Sequence, residues 1–294
     1  MPFKNTYKNI LLETQQGADL RRPYLEKIQA LRDGRQVLSF FISFYSKHAL
    51  IPEDADMIEE ALCNSDTTKG VSLILDAPGG DGLTAERIIH ICRNYSKGDF
   101  EVIIPARAKS AATMVCLGSD RIVMSSTSEL GPIDPQIPID LEGNGQRQWV
   151  AVHYITKSYD DLFQGAVSSQ GRIEPYLQQL SKFNAVHVES LRAASKLSED
   201  IAIRSLQRGM LTGKSEDEIR DLIKPFTDPE LTMSHGRGIN LERARECGLD
   251  VERVDTDSEL WRVIWGLYLR SKHVVDNTPA KKLVETLDGS YVAT

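Results

Sequence analysis

Cysteine is scarce in this chain: four in 294 residues, at positions 63, 92, 116 and 247. They form no CxxC pair and no Cys/His cluster, which leaves zinc and thioredoxin-like readings without support. Cys92 and Cys116 sit inside apolar runs and read as buried structural thiols. Thiols with no disulfide framework suit a reducing cytoplasm. An excess of positive charge is also missing. The balance is 35 Lys+Arg against 42 Asp+Glu, net −7, which argues against a nucleic-acid binder, because phosphates reward a basic surface. Long hydrophobic runs are absent as well. The longest, Val37 to Tyr45, is about nine residues with two serines in it, whereas a membrane helix needs about 20. The N-terminal MPFKNTYKNILLETQ lacks the apolar core of a signal peptide. The expectation is a soluble, cytoplasmic protein without a membrane span. What is present is ordinary for a folded chain, 41% hydrophobic and 26% charged residues, with length for one large domain or two small ones.

The first half alternates short apolar runs with helical patterns. VLSFFISF (37–44), VSLIL (71–75), EVIIP (101–105) and RIVM (121–124) read as buried strands. Helices are expected after Pro52, from about Leu83 to Tyr95, and from Ser110 to about Leu117. Strands spaced by helices imply a parallel sheet with helices packed on it. The second half is mostly helical. Apolar positions recur from about Glu174 to Met210, Ser215 with Glu218 makes a capping box for a helix that stops before Pro225, and Asn240 caps Leu241–Cys247 with Gly248 as its stop. A further helix is expected near 258–272. The tail AKKLVETLDGSYVAT reads equally well as a strand or as an arm onto a neighbour.

Two phosphate-loop decoys fall away. TGKS at 212–215 has Gly209 one position too near and follows a helical run, and Gly143–Gly145 and Gly236–Gly238 each lack the third glycine of a dinucleotide fingerprint. The segment LILDAPGGDGLTAERI (73–88) is more informative. A strand ends in Pro78-Gly79-Gly80 and a helix follows, so N–H groups can face outward beside a helix N-terminus, as an oxyanion hole requires. A plain strand-to-helix turn would use the same residues. One strand later, Ser110 opens a helix of small residues, where a serine can be an N-cap and no more. In a parallel sheet both features fall at the carboxyl edge, where sites tend to form. Ser110 as nucleophile, with the N–H groups of Gly79–Gly80 and Ala111 as oxyanion donors, makes a coherent acyl-transfer site.

DAPGG, AKSAAT, SELGPIDPQ (128–136) and HGRGINLERARECGLDV (235–251) resemble, in order, the motifs of the serine dehydrogenase proteinase family, distant relatives of the Clp protease proteolytic subunit and of signal peptide peptidase A. The resemblance spans roughly 20–255. It implies an α/β fold of the ClpP/crotonase type, a spiral of β-β-α units with a helical C-terminal half. It also implies serine peptidase chemistry on a peptide or protein substrate, and a homo-oligomer. The expected organisation is a peptidase domain over 1–255, with a helix and tail over 256–294 that could serve oligomerisation. The family's Ser, Asp, His order carries over as Ser110, Asp134 and His235, so that His235 takes the Ser110 proton and Asp134 orients it.

Other bases stay open. His153 and Lys157 follow Ser110 at a distance comparable to the lysine of a Ser/Lys dyad, but a lysine serves as base only when burial lowers its pKa. Lys109 is set aside because neighbours on an extended segment point to opposite faces. Asp76 departs from the family pattern, since its charge would oppose an oxyanion unless Arg107 or Lys109 pairs with it. No metal and no cofactor is expected. An inactive scaffold of the same fold and a crotonase-like acyl-thioester enzyme stand as alternatives.

Overall fold

The computed structural model describes residues 17–140 and 144–294. The N-terminal stretch read for a leader, and Gly143 of the Gly143–Gly145 pair, lie outside the described residues. A short 3-10 turn (Ala18–Leu20) leads into α1 (Arg22–Leu31), β1 (Gln36–Ile42), α2 (Pro52–Cys63), β2 (Val71–Asp76), α3 (Gly82–Ser96) and β3 (Phe100–Ile104). Next come β4 (Arg107–Ala108), α4 (Ala111–Leu117), β5 (Arg121–Met124), β6 (Glu129–Leu130), β7 (Gln136–Ile139) and β8 (Gln148–Ala151). The helical stretch holds α5 (Val152–Ser168), α6 (Glu174–Leu180), α7 (Ala185–Arg208), α8 (Glu216–Leu222), α9 (Lys224–Thr227), α10 (Pro229–Thr232) and α11 (Leu241–Glu246). The last elements are β9 (Val251–Arg253), α12 (Glu259–Asn277), β10 (Lys282–Glu285) and β11 (Ser290–Ala293).

The main sheet has the order β11-β10-β1-β2-β3-β5-β9. From β1 to β9 neighbours run parallel, while β10 and β11 are antiparallel. The strands are buried on both faces, so their side chains divide by alternation between two cores. Leu38, Phe40, Leu73, Leu75, Val102 and Ile104 pack with α2, α3 and α4 on one face. Val37, Phe41, Ile74, Ile103 and Val123 pack with α1 and α12 on the other.

A second, smaller ladder gives the fold its spiral. Beyond β2, Ala77 bridges Ala108 of β4; β4 pairs with β6 in parallel; and Leu130 of β6 bridges Ile239 antiparallel. The stretch β3–β4–α4 is one such turn, a long strand, a short strand and a helix, while β5 and β6 lead into the β7–β8 hairpin. This is the β-β-α spiral of the ClpP/crotonase type, and roughly its second half is helical.

The helical pattern from 174 onward divides into α6 and α7, because Asn184 caps α7 by accepting the His187 N–H (3.1 Å). The capping box at Ser215 forms, with Ser215 N donating to Glu218 Oε2 (2.8 Å). Pro225 ends α8 and opens α9. Asn240 Oδ1 accepts from Arg243 N (2.9 Å) and starts α11. The tail is a hairpin, β10–β11, laid on the edge of β1. Two buried ion pairs secure it: Lys282 bonds both carboxylate oxygens of Asp54 (2.8 and 2.7 Å), and Arg21 grips Glu285 (2.6 and 2.7 Å). Cys92 and Cys116 are free and buried, and burial pushes the Cys92 thiol up to about 12.

Candidate active site

Ser110 sits at the joint between β4 and α4 with φ 51° and ψ −123°, a backbone conformation costly for a residue with a Cβ, by about 1–3 kcal/mol. The strain holds because both sides of the joint are fixed. Lys109 N donates to Ala77 O (3.1 Å), and all seven residues of α4 are buried. Thr113 adds a clamp: its Oγ1 donates to Ala108 O (2.8 Å) and accepts from Gly131 N (3.0 Å).

The glycine loop packs directly against this joint. Gly79 has φ +104°, and a Cβ there would lie 2.6 Å from the Ser110 Cβ and 2.7 Å from Lys109 O. Leu50 N donates to Gly79 O (2.7 Å) and Asp81 N donates to Leu50 O (3.0 Å). By strand alternation the Gly80 N–H faces the side away from Leu50. Neither the Gly80 N–H nor the Ala111 N–H has an acceptor among the described residues. Gly79→Ala is therefore expected to displace Ser110: a serine-directed probe should react at least about tenfold more slowly, while circular dichroism remains that of the parent.

Asp76, at the end of β2, is buried, and its Oδ1 accepts the Arg107 N–H (2.9 Å). The partner is thus the Arg107 backbone, since its guanidinium lies 3.9 Å over the Phe44 ring. Lys109 turns instead to Glu129 (2.8 Å) and Leu130 O (3.2 Å). Burial raises the Asp76 carboxyl from 3.8 to about 6, although the Arg107 N–H and the Lys272 charge oppose the rise. The folded chain therefore holds this proton more tightly than the unfolded one. The resulting stabilisation is complete below pH ~4 and lost as pH rises through about 6, amounting to about 3 kcal/mol. Asp76→Asn keeps an acceptor for Arg107 and should match the parent near pH 4 yet exceed it by about 3 kcal/mol near pH 8. Urea denaturation at the two pH values measures this.

The small ladder gathers the remaining residues. Ser110 lies just past β4 and Asp134 just past β6; His235 lies just before Ile239, which runs the opposite way, so all three leave the ladder at the same end. His235 Nδ1 and Asp134 Oδ1 are 2.8 Å apart across 101 positions of sequence. Asp134 is only 6% exposed, and its Oδ2 is buried without a hydrogen-bond partner among the described residues. The Ser110 hydroxyl makes no hydrogen bond to Asp134 or His235.

The rival bases lie elsewhere. Lys157 Nζ binds Glu230 Oε1 (2.7 Å), and His153 Nε2 shares the same oxygen (3.3 Å). The Glu230 carboxylate raises the Lys157 pKa, the reverse of what a lysine base needs. Glu230 and Thr113 went unnoticed in the sequence, where nothing distinguishes either from an ordinary surface or helix residue. Among the described residues no group of three or more His, Cys, Asp or Glu could hold a metal ion, and no helix is long and apolar enough to cross a membrane.

Comparison with known proteins finds two uncharacterised proteins of Methanocaldococcus jannaschii. One is 27% identical over 222 residues, 71% of this chain and 65% of the relative. The other is 34% identical over 85 residues, 29% of each. The chain thus spans 65% and 29% of the length of these two relatives. Two solved structures of the membrane-bound stomatin-specific protease 1510-N are similar at a TM-score of 0.31 each. A lysine-to-alanine mutant in complex with a substrate peptide is 16% identical, covering 76% of this chain and 93% of that one. A serine-to-alanine mutant is 15% identical, covering 72% and 94%. The family model of ClpP-like SDH-type serine proteinases matches a segment that includes Ser110 and Asp134, with His235 beyond it. The match to the model of ClpP-like SDH-type serine proteinases spans residues 28–141 of the chain.

Proposed function

We propose that this chain is a serine peptidase that forms an acyl-enzyme on Ser110. The observation that carries the reading is the 2.8 Å contact between His235 and Asp134, at the ladder end where Ser110 stands. With Nδ1 engaged by Asp134, the His235 ring has Nε2 left for proton transfer. In the proposed reaction Ser110 Oγ attacks the peptide carbonyl and His235 accepts its proton. The N–H groups of Gly80 and Ala111, with Gly79 shaping the loop, hold the oxyanion. His235 then protonates the leaving amine, and water, deprotonated by the same ring, releases the acyl group. The strained Ser110 backbone supports the reading, since such strain concentrates where a side chain must be aimed.

The test is labelling with a fluorophosphonate probe. Ser110 should become modified, the label should vanish in Ser110→Ala, and it should be strongly reduced in His235→Ala. A folded parent chain that never reacts would favour a scaffold role. Homo-oligomer formation belongs to the same proposal and is supported by exposed apolar side chains on the helical half, among them Phe163, Val167, Leu177 and Val186. A solution mass by light scattering well above the 32.9 kDa of one chain would agree with it, and a mass equal to one chain would refute it.

A further inference from the structure

The short strands β4 and β6 pair in parallel, Arg107 with Glu129 and Ala108 with Leu130. Bonds along such a ladder are evenly spaced. Glu129 N donates to Ala106 O (2.8 Å), so the next bond, two residues along each strand, would run from Gly131 N to Ala108 O. That bond is not made. The Thr113 hydroxyl takes both ends of it, donating to Ala108 O (2.8 Å) and accepting from Gly131 N (3.0 Å). Where a single bond of about 2.9 Å would join the strands, two now stand in series through an interposed oxygen.

A threonine in a helix ordinarily turns its hydroxyl onto its own helix, as Thr156 does toward Val152 O and His153 O. Thr113 instead reaches out of α4 with both of its bonds. It is the third residue of a helix whose side chains lean toward the N-terminus. It is also fully buried, and the only one of the seven with a hydroxyl. The interposed oxygen sits where the candidate site begins. Ser110 lies two residues beyond Ala108, and Asp134 three beyond Gly131. On the other side of β6, Leu130 exchanges two bonds of 2.9 Å with Ile239, four residues after His235. β6 thus ties Asp134 and His235 to one strand, and the Thr113 oxygen sets the distance from that strand to the one that ends in Ser110.

We propose that Thr113 is a positioning residue, its hydroxyl wedging the ladder open so that Ser110 and the His235–Asp134 pair stand in register for proton transfer. Without the hydroxyl, Gly131 N pairs directly with Ala108 O, β6 draws toward β4, and His235 is carried off the line of the Ser110 Oγ. The kinetic consequence rests on the proposed peptidase reading; the wedge itself does not.

The experiment compares fluorophosphonate labelling rates of the parent, Thr113→Val and Thr113→Ser, each with and without His235→Ala, with thermal melts to verify folding. Thr113→Val keeps the shape and loses the hydroxyl, and should react about a hundredfold more slowly. Thr113→Ser keeps the hydroxyl and should recover most of that loss. His235→Ala should be costly in the parent yet add little to Thr113→Val, because the ring there is already out of reach. A parent-like rate in Thr113→Val, or a His235→Ala effect equal in both backgrounds, would overturn the proposal and leave the peptidase reading standing. A parent indifferent to His235→Ala would sink that reading instead. The wedge is then decided by NMR, through the coupling that a direct hydrogen bond transmits between the Gly131 amide nitrogen and the Ala108 carbonyl carbon. It should be absent in the parent and appear in Thr113→Val. A coupling already present in the parent, which needs no variant, or one still absent in folded Thr113→Val, would refute it.

Discussion

Asp134→Asn is expected to lower the rate of Ser110 acylation by about four orders of magnitude while the fold persists. The carboxylate accepts from His235 Nδ1 at 2.8 Å and so fixes the tautomer whose Nε2 is free to receive a proton. An asparagine amide occupies the same volume but can present its NH2 to the ring, which stabilises the opposite tautomer and leaves Nε2 carrying the hydrogen. It also withdraws the negative charge that favours the imidazolium formed during attack. Single-turnover acylation by a chromogenic ester, with circular dichroism as the fold control, reads the effect. A loss below about tenfold would mean that Asp134 does not orient the base.

The second large effect is on stability. Lys282→Met should destabilise the chain by roughly 3–5 kcal/mol, because Asp54, fully buried and bonded twice to Lys282, would stay behind as an uncompensated charge. That is a large part of the roughly 5–15 kcal/mol that holds a domain together. Burial already raises the Asp54 carboxyl above its ordinary range, against the pull of Lys282. Without the lysine it rises further, so the variant should recover stability as the pH falls and be weakest in alkaline buffer. The double variant Lys282→Met/Asp54→Asn should regain much of the loss. Denaturant titrations at pH 5 and pH 8 test both statements, and equal losses at the two pH values would contradict them.

The sheet and its carboxyl edge were legible in the sequence because their determinants are local. VSLIL and EVIIP are β-branched runs, Gly79–Gly80 mark a turn that side chains would block, and Ser110 follows one strand later. The short ladder was not legible. β4 and β6 are two residues each, below the length at which alternation can be read, and they exist because Ala77, Ala108, Leu130 and Ile239 meet from distant parts of the chain. That ladder is what joins Asp134 to His235, so the pair could be expected only through family resemblance. The β7–β8 hairpin and α5 were missed for another reason. Much of their surface is exposed, as at Trp149 and Phe163, so their apolar residues do not follow a core-facing period. The tail was ambiguous because its strands answer to β1, whose pairing Ser39–Glu285 crosses 246 positions.

That long separation has a consequence for how the protein comes into being on the ribosome. β1 is among the earliest strands synthesised, and β10, which covers its outer edge, is among the latest of the described elements. Until β10 emerges, a nascent chain can assemble β1 through β9 but must leave an apolar strand edge uncovered, a surface on which unfinished chains aggregate. Pairing across so great a span is slow by its loop entropy, and it completes only when Lys282 and Glu285 find Asp54 and Arg21. The hairpin thus acts as a late closure, and shielding by chaperones should matter most in the interval between the synthesis of β1 and its arrival.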